Sequence, residues 1–512
     1  MPATKIISFE VAPALFKKLR AAGKRIVQSH GIFDLIHPGH ILHLEEARDQ
    51  GDVLVVTLTA DKFVNKGPGR PFFKEELRLR SLAAMSCVDY VVLVPFTGAV
   101  EAIECVRPHI YCKGRAYADP EFDVEGNLPH EIVAVKRCGG KVEFIGSVKY
   151  SSTKLLNQHF DHLGTKVKSF CEAMAARYTR KSFTEAVNSF AGLKVLVVGD
   201  TIFDRYSSVK VQGLTSKNKM ISGRFLREET QCGGALAVFR HVKQFARSVK
   251  YVSLVGSEPW AQKQLRDHIA PAEDCVVRAA DFTTIIKQRF VEPLVEGAEM
   301  SKLFSVNFID AQPPTDAVVR QLEKKLVAEI RKADVVLLLD FGHNMMHARL
   351  RELVQDKAKF LALNCQTNSN NHGYNIINRQ YQRADAFALD ENEIMLSIGR
   401  RQVDFEKELA ALKKNFRSQY AWLTRGAVLT IGLRDREKAC LCPPLERDVV
   451  DTIGAGDAFF SVAALAAVRG LPVDLATFLG QLAGAQAVKI VGNAEPIAKP
   501  TLLKSGISLL NF

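Results

Sequence analysis

The sequence predicts an α/β protein made of two doubly wound domains, each with a parallel sheet. Two stretches begin alike, because the β-type runs Lys24–Gln28 and Lys194–Val198 each lead into a glycine turn, at Gly31 and at Gly199. Strand-type and helix-type patterns alternate after each run, which favours parallel strands joined by helical crossovers. Turns after such strands are where α/β folds bind ligands, so we expect one site in each half.

The first domain is expected to cover residues 1–160. A helix is predicted over Ile41–Gln50 and ends at Gly51, and the continuous apolar run Val53–Leu58 is typical of a buried parallel strand. The later elements are one helix and three strands, at Lys74–Met85, Tyr90–Val94, Ile110–Cys112 and Val142–Ile145.

The second domain is expected to cover residues 192–512, after a charged helical linker at residues 161–191. Three apolar runs follow its first strand, and a final helix comes near the end of the domain. They lie at Val335–Leu339, Phe360–Leu363, Ala421–Leu423 and Asp457–Arg469. This alternation indicates a second doubly wound sheet.

The composition is that of a globular protein that attracts anions. Of the 512 residues, 47% are hydrophobic and 24% are charged, and the net charge is +13. The Lys and Arg residues are scattered, which favours small phosphorylated ligands and predicts no nucleic acid partner. No apolar run approaches the roughly 18 residues of a membrane span, and the ten Cys lack metal-binding spacing. We therefore expect a cytoplasmic protein with buried free thiols and no membrane partner.

The string His30–His40 (HGIFDLIHPGH) carries the polar chemistry of the first half. His37 and His40 flank Pro-Gly at the start of the predicted helix, where unpaired N–H groups and the helix dipole favour anions. Gly31 lets the backbone approach a phosphate, and the imidazoles can donate hydrogen bonds to oxygens that gain charge as pyrophosphate leaves. A substrate that attacks through its own ionised phosphate needs no strong base, so the pattern suits nucleotidyl transfer. Structural histidines at a tight turn are the alternative.

Two further strings indicate anion binding. Lys66–Pro71 (KGPGRP) places two cations on a glycine-rich loop that suits a triphosphate. Tyr150–Lys154 (YSSTK) precedes an apolar helix, so its hydroxyl and N–H groups form a second anion site at a helix start. With the histidine pair, these strings predict a site for a nucleoside triphosphate.

These strings resemble the cytidylyltransferase-like nucleotidyltransferase family, which has a Rossmann-like fold and whose GxFDxxHxGH pattern is matched from Gly31 to His40. The likeness extends through Lys66-Gly67, Arg70-Pro71, Arg78, Val88-Asp89 and the Ser-Ser-Thr segment. It implies that Asp34 lies near the acceptor or the ribose, with a turn carboxylate as the alternative. It implies catalytic roles for His37, His40 and Lys66, and nucleotide or phosphate binding by Gly31, Phe33, Arg70, Arg78, Ser152 and Thr153.

One departure from this family bears on the substrate. Close sugar-phosphate members carry Lys-Gly-Gly-Asp-Tyr where this chain has Lys113–Tyr117 (KGRAY). The acid is lost, and Arg115 and Ala116 introduce a cation and a methyl group. The acceptor and the choice between ATP and CTP therefore stay open.

The second half has its own candidate phosphate site in Asp451–Asp457 (DTIGAGD), which precedes an apolar helix. Small residues at a helix start free consecutive N–H groups to form an anion hole. Asp457 at the top of that hole can accept the proton of an alcohol as it attacks a γ-phosphate. An N-cap Asp with a glycine turn is the structural alternative.

With Gly199–Tyr206 (GDTIFDRY), Cys232–Ala235 (CGGA) and Thr284–Arg289 (TIIKQR), this string resembles the ribokinase-like carbohydrate kinase family over roughly residues 192–498. The likeness is strongest to the kinase half of bifunctional heptose-7-phosphate kinase/heptose-1-phosphate adenylyltransferases, whose domain order is the reverse of this one. The resemblance implies that Asp457 is the base, that Gly454, Ala455 and Gly456 form the anion hole, and that Asp204, Gly233 and Gly234 line the sugar site. It implies that Lys287 and Arg289 hold the sugar or its distal phosphate, with plain surface cations as the alternative.

The kinase half also departs from its family at two places. Ala237 replaces the Asn of Gly-Gly-Ala-x-Asn, which removes a polar contact to a sugar hydroxyl. The Asn-x-x-Glu element that helps to place Mg²⁺ becomes Asp390–Glu393, and Glu393 is implied to bind Mg²⁺ through water. These changes leave open a kinase half that has lost its activity.

The combined expectation is a bifunctional sugar-activating enzyme that uses ATP and Mg²⁺ in its kinase half and ATP or CTP in its transferase half. Its substrates would be a small sugar phosphate resembling heptose 7-phosphate, a sugar 1-phosphate and nucleoside triphosphates. The alternative is a cytidylyltransferase for an alcohol phosphate such as glycerol phosphate, fused to a kinase-like domain that is inactive or serves binding or oligomerisation. A homodimer is expected only by analogy with similar folds.

Overall fold

The computed structural model describes residues 2–119, 123, 126–146, 152–160, 163–293, 300–309, 312–368, 371 and 373–512. Its contacts separate two compact units, the first comprising Met1–Ala175 with Leu503–Phe512 and the second Ala176–Leu502. This division differs from the expected boundaries in two respects. The helices of the expected linker are divided between the units, and Leu503–Phe512 packs with the first unit.

The first unit is a parallel sheet with helices on both faces, which confirms the predicted fold class. Its strands among the described residues are β1 (Ile6–Ile7), β2 (Ile26–Gly31), β3 (Val53–Thr59), β4 (Tyr90–Val94), β5 (Ile110–Gly114) and β6 (Lys141–Ile145), in the spatial order β1-β4-β3-β2-β5-β6. Its helices are α1 (Ala12–Ala21), α2 (Pro38–Arg48), α3 (Glu75–Ala83), α4 (Val100–Val106), α5 (Leu128–Arg137), α6 (Ser152–His159) and α7 (Thr165–Arg177).

The central strand β3 shows why this sheet forms. All seven of its residues are buried, and it pairs in parallel with β2 and β4. Leu54 packs with Leu44 on one face of the sheet, and Val55 packs with Phe16 on the other. A strand covered on both faces needs such a continuous apolar run. Because β2 ends at Gly31, the histidine loop starts at the carboxyl edge of the sheet.

The second unit holds a larger sheet in the order β10-β7-β15-β16-β17-β18-β19-β20, parallel from β10 to β18, with an antiparallel edge. The strands of this unit that the structure describes are β7 (Lys194–Gly199), β8 (Thr201–Leu214), β9 (Ile221–Gly233), β10 (Ser248–Val252), β11 (Leu254–Val255), β12 (Val277–Arg278), β13 (Ile285–Pro293), β14 (Met300–Phe308), β15 (Val335–Asp340), β16 (Leu361–Cys365), β17 (Ala386–Asp390), β18 (Tyr420–Thr424), β19 (Thr430–Arg434) and β20 (Cys440–Cys442).

Helices complete the second unit, and one of them opens the predicted phosphate site. In α16 (Ala455–Val468), Ala458 to Ala467 are all buried, as expected for an apolar helix in the core. The remaining helices of this unit that the structure describes are α8 (Arg180–Asn188), α9 (Gly234–Lys243), α10 (Pro259–His268), α11 (Asp316–Ile330), α12 (Ala348–Lys357), α13 (Ile377–Gln380), α14 (Glu391–Ile398), α15 (Phe405–Asn415) and α17 (Val473–Ala487). The last helix, α18 (Lys499–Leu509), belongs mostly to the first unit.

A four-stranded sheet in the order β14-β13-β8-β9 was not expected from the sequence. β8 and β9 form a long antiparallel pair, and β13 runs parallel to β8. Its strands mix polar residues with exposed apolar ones such as Phe225 and Phe304. Because one face of this sheet is open, its strands lack the continuous apolar pattern of buried ones.

The structure shows the state of the cysteines and the character of the helices. The ten Cys are free thiols, of which eight are buried, and Cys87 and Cys138 are half-buried. Within the described ranges, every helix is too short or too polar to cross a membrane.

Candidate active sites

His37 and His40 lie where β2 leads into α2, and the turn fixes both imidazoles. His37 caps α2, and its Nδ1 accepts the His40 amide at 3.3 Å, so the neutral ring carries its proton on Nε2. The ring centroids are stacked 3.9 Å apart. Burial lowers the pKa of His37 and lowers that of His40 to about 3, and the charge of Lys66 contributes to both shifts. Both rings are therefore neutral at pH 7 and lie near Lys66.

Arg70 gives the strongest sign of an anion site in the first unit. Its side chain is 2% exposed, and its Nε donates to Asp34 Oδ2 at 2.5 Å. Its terminal nitrogens Nη1 and Nη2 are buried without a hydrogen-bond partner, and so is His40 Nδ1. Leaving buried polar atoms unpaired is costly, so this group indicates a ligand that completes it. Phosphate oxygens are acceptors that a guanidinium recognises well.

Asp34 fixes the loop that carries Arg70. Its Oδ2 accepts from Arg70, while its Oδ1 accepts the amides of Phe72 and Phe73 at 2.7 and 2.9 Å. This is the turn role that the sequence left as an alternative. A role for Asp34 at the acceptor or the ribose stays a prediction.

Arg78 has protein partners of its own. Its guanidinium is buried, and the protein itself takes up its N–H groups. The acceptors are Phe73 O, Ile32 O, Thr59 O and Asp61 Oδ1, at 2.6–3.0 Å. Arg78 therefore braces the loop from behind, and its role in binding a nucleotide or phosphate stays a prediction.

The other residues predicted for this site lie on its loop and on α6. Phe33 has the left-handed φ of 48°, and its ring packs against Gly31, where an added Cβ would lie 3.0 Å from the ring. Such strained backbone clusters at functional sites. Thr153 is buried near the start of α6. Ser152 begins that helix, and its side chain lies outside the described residues, as do Tyr150 and Ser151.

Asp457 stands in the first turn of α16, as the sequence predicted. Gln366, directly after β16, donates from Nε2 to Asp457 Oδ1 at 2.9 Å. The protein packed around the carboxylate raises the pKa of Asp457 to about 7, and the hydrogen bond from Gln366 opposes this shift. A carboxylate with a pKa near the working pH suits a general base.

The residues predicted for the sugar site meet on the four-stranded sheet. Asp204 and Lys287 are direct partners in the β8–β13 pairing, and Asp204 forms an ion pair with Arg289. Burial lowers the pKa of Lys287, while the charges of Asp204 and Asp457 oppose that change. Lys287 is thus within electrostatic reach of both carboxylates, which brings the sugar-site candidates together with the candidate base.

Glycines are required where the backbone passes these side chains. An added Cβ at Gly233 would lie 2.3 Å from Asp204 Oδ2, and Gly234 has a left-handed φ of +56°. Gly454 caps α16 with a φ of +82°, while a Cβ at Gly456 would meet open space. The start of α16, at Ala455, therefore leaves room for an anion at its N–H groups.

Glu393 is held in the cap of α14. Its Oε2 accepts the Asp390 amide at 2.8 Å and its Oε1 accepts the Thr367 amide at 3.3 Å. Burial raises the pKa of Glu393 well above its usual range, and the charge of Asp457 contributes, so the two carboxylates are near each other. Lone pairs remain on the carboxylate for a bound water, which suits the expected indirect contact with Mg²⁺, and that role stays a prediction. Among the described residues, no cluster of three or more His, Cys, Asp or Glu is placed to hold a metal directly.

Three polar residues of the second site were missed from the sequence. Gln366 holds the base, and Lys302 of β14 pairs with the buried Asp451 at 2.9 Å. His343 Nε2 is buried without a hydrogen-bond partner, and burial lowers the pKa of His343 to about 3, with Lys287 adding to the shift. The sequence signal for His343 is its place shortly after the apolar run Val335–Leu339. Lys302 and Gln366 carry no motif of their own.

Two family matches decide between the chemistries that this geometry allows. Residues 29–169 match the family described as cytidylyltransferase-like, and residues 307–500 match the pfkB family of carbohydrate kinases. The chain therefore carries a cytidylyltransferase-like domain followed by a pfkB carbohydrate kinase domain. The kinase match includes Asp457 and begins after Lys287, so the four-stranded sheet lies largely outside it.

Curated relatives match part of the chain. The transferase domain is similar to the bifunctional protein HldE of Pelobacter propionicus, with 40% identity over 152 residues, which is 29% of this chain and 30% of that protein. HldE of Azorhizobium caulinodans is 39% identical over 160 residues, 30% of this chain and 31% of that protein. The chain thus spans about 30% of the length of these relatives. Its domain order is the reverse of theirs.

Solved structures are similar over the greater part of the chain. Phosphofructokinase-2 from Escherichia coli, in complex with substrates and products, covers 62% of this chain and 98% of its own, with 13% identity and a TM-score of 0.49. Arabidopsis thaliana ribokinase, complexed with ribose and ATP, covers 63% and 99%, with 18% identity and a TM-score of 0.47. These scores are low, and the fold of the kinase domain rests on its own sheet topology and the family match.

Proposed function

We propose that this chain is a bifunctional sugar-activating enzyme. Its kinase domain would phosphorylate a sugar or a sugar phosphate resembling heptose 7-phosphate with ATP. Its transferase domain would join a sugar 1-phosphate to ATP or CTP and release pyrophosphate. One observation carries the proposal above the others: Arg70 and His40 present buried, unpartnered nitrogens where the transferase domain would bind phosphate.

In the transferase step, a phosphate oxygen of the sugar 1-phosphate attacks the α-phosphorus of the nucleotide. The new P–O bond forms as the bond to the β-phosphate oxygen breaks, and pyrophosphate leaves with the electron pair. The attacking phosphate is already ionised, so His37 and His40 need not remove a proton. Neutral His37 can instead donate from Nε2, and Arg70 and Lys66 can offset the charge that develops on pyrophosphate.

In the kinase step, a sugar hydroxyl attacks the γ-phosphorus of ATP and gives its proton to Asp457. The bond between the γ-phosphorus and the bridging oxygen breaks, and ADP leaves. The N–H groups at the start of α16 stabilise the transferring phosphoryl group. Asp204, Lys287 and Arg289 would orient the sugar, and the two cations suit a distal phosphate.

The proposal includes magnesium as a cofactor and a cytoplasmic location of the protein. Magnesium bound with the nucleotide would neutralise phosphate charge, and Glu393 is the residue proposed to hold it through water. A cytoplasmic location suits free thiols and nucleotide substrates.

The proposal is tested by measuring both half-reactions on the purified chain. Heptose 1-phosphate with ATP or CTP should release pyrophosphate, and heptose 7-phosphate with ATP should give ADP. Both reactions should stop when EDTA removes magnesium. Absence of pyrophosphate with every sugar 1-phosphate tried would refute the transferase half.

A second candidate function is favoured by the carboxyl end of β5. Arg115 is exposed there, in the string where sugar-phosphate members of the family have an acid. The loss of the acid removes a hydrogen-bond acceptor for hydroxyl groups, which favours an acceptor with fewer hydroxyls, such as glycerol phosphate. Competition between heptose 1-phosphate and glycerol phosphate, each with ATP and with CTP, separates this cytidylyltransferase from the sugar enzyme.

A further inference from the structure

The segment Leu503–Phe512 belongs to the first compact unit, although it lies more than 300 residues after the transferase match ends at residue 169. It includes most of α18, and Leu503, Ser505 and Leu509 are 5%, 7% and 3% exposed. Burial of this kind indicates that the segment is part of the packed structure of that unit.

The segment contacts the cationic loop of the transferase site. Gly67 has a left-handed φ of +90°, and a Cβ added to it would lie 3.0 Å from Ser505 Cα. The loop backbone between Lys66 and Arg70 therefore lies directly against α18. A side chain at position 67 would push the two apart, so the glycine permits this close approach.

The same segment is also fastened to α6, the helix with the second predicted phosphate string. Asn157 is 2% exposed, and its Nδ2 donates to the carbonyl oxygens of Ser508 and Asn511 at 2.8 and 3.0 Å. Phe160, just after α6, packs edge-on against Phe72 of the loop, with ring centroids 5.4 Å apart. Loop, helix and segment thus form one packed group around the predicted triphosphate position.

Lys504 lies between the buried residues Leu503 and Ser505, and its own side chain is partly exposed. Its charge reaches the carboxyl edge of the sheet, because it contributes with Lys113 to lowering the pKa of His30 at the end of β2. Burial is the largest cause of that shift, which brings the pKa to about 3.

We propose that the segment Leu503–Phe512 forms a wall of the transferase site and that Lys504 supplies a cation for the phosphate groups bound there. The inference rests on the proposed function and deepens it, since the transferase site would include residues more than 300 positions beyond its own family match. The shared ligand chemistry is a phosphate oxyanion, which either the nucleoside triphosphate or the sugar 1-phosphate can provide.

The test uses the full chain with Lys504→Ala, Lys504→Arg and the matched control Lys17→Ala, an exposed lysine of α1. Lys504→Ala should lower the kcat/KM of pyrophosphate release at least tenfold, and Lys504→Arg should restore it to within threefold. Phosphorylation by the kinase domain and hydrogen exchange in β2–β5 should stay unchanged, which shows that both units remain folded. If Lys504→Ala raises the KM for the nucleotide, the Lys504 ammonium binds the triphosphate. If it raises the KM for the sugar phosphate, the ammonium binds the acceptor.

Asn157→Asp tests the wall itself, because aspartate has nearly the same shape and cannot donate to the two carbonyl oxygens. We expect faster hydrogen exchange across residues 503–512 together with slower pyrophosphate release. The proposal is overturned if Lys504→Ala transfers within twofold of wild type, if arginine does not rescue it, or if Asn157→Asp frees the segment without slowing transfer.

A binding measurement separates this inference from the proposed function. Inorganic pyrophosphate should protect the Lys66–Arg70 loop from hydrogen exchange in the wild-type chain, and Lys504→Ala should require at least fivefold more of it. If wild type catalyses no transfer but this difference holds, the proposed reaction fails and the wall stands. If the two proteins need the same pyrophosphate concentration, Lys504 has no such role.

Discussion

At the scale of single residues, the kinase reaction should follow the titration of Asp457. Its pKa is raised to about 7, and only the ionised form can accept a proton. We therefore expect kcat/KM for phosphorylation to be constant above pH 8 and to fall about tenfold per pH unit below pH 6. The measurement is the pH profile of ADP formation at low sugar concentration.

Asp457→Asn is the control for that profile. It should lower phosphorylation by about 10³-fold or more, the scale of a lost general base, and the residual rate should not depend on pH in this range. A wild-type profile that stays flat down to pH 5 would show that Asp457 does not act as the base.

Arg70 should be as important to pyrophosphate release by the transferase domain as Asp457 is to phosphorylation by the kinase domain. Arg70→Lys keeps a positive charge beside Asp34 but loses the fork of Nη1 and Nη2. We expect pyrophosphate release to fall by about 10²-fold, the order seen when one donor to a developing charge is lost. Arg70→Ala is less informative, because it leaves a buried carboxylate unpaired at a cost of roughly 3–5 kcal/mol.

The matched control is Arg80→Lys on the exposed side of α3, which should leave pyrophosphate release unchanged. If Arg70→Lys also stays within threefold of wild type, the unpartnered nitrogens do not bind the nucleotide.

At the scale of elements, the start of α16 depends on the glycine that caps it. An added Cβ at Gly454 would lie 2.3 Å from Asn493 Oδ1, and its φ of +82° is unfavourable for other residues. Gly454→Ala should lower the free energy of unfolding by about 1–3 kcal/mol and should reduce phosphorylation at least tenfold by displacing the anion hole. Thermal unfolding and kinase assays measure the two effects.

Gly399→Ala provides the comparison, since Gly399 has a similar φ of +71° but no atom within 4 Å of an added Cβ. It should cost only the backbone strain, about 1 kcal/mol, and keep its kinase activity. Equal kinase losses in the two variants would argue against a specific role for the start of α16.

The elements also show what could be predicted from the sequence. The strand β3 and the helix α16 were predicted well, because buried elements have continuous apolar patterns. The sequence does not predict the sheet β14-β13-β8-β9, although two of its residues, Asp204 and Lys287, lie in recognisable motifs. A strand with one open face has few constraints on its solvent side, so its sequence does not stand out from a loop.

At the scale of the whole molecule, the two reactions should be separable, since Asp457 and Arg70 lie in different compact units. Sites that share no partners behave additively. Asp457→Asn should therefore stop phosphorylation and leave pyrophosphate release within twofold of wild type, and Arg70→Lys should do the reverse. Both activities are measured on the same preparation. A loss of transfer in Asp457→Asn would show that the two sites are coupled.

The sequence by itself determined the fold class, the two phosphate-binding strings and the residues at the centre of each site. These features are local, because a helix start, a glycine turn and an apolar run each depend on neighbours in the chain. The tertiary structure alone decided which arginines the protein itself pairs and which segments of the chain build the first unit. It showed Arg78 bonded to the protein, Arg70 with unpaired nitrogens and the segment Leu503–Phe512 packed in the first unit. Such roles depend on contacts between distant parts of the chain, and sequence spacing does not encode them.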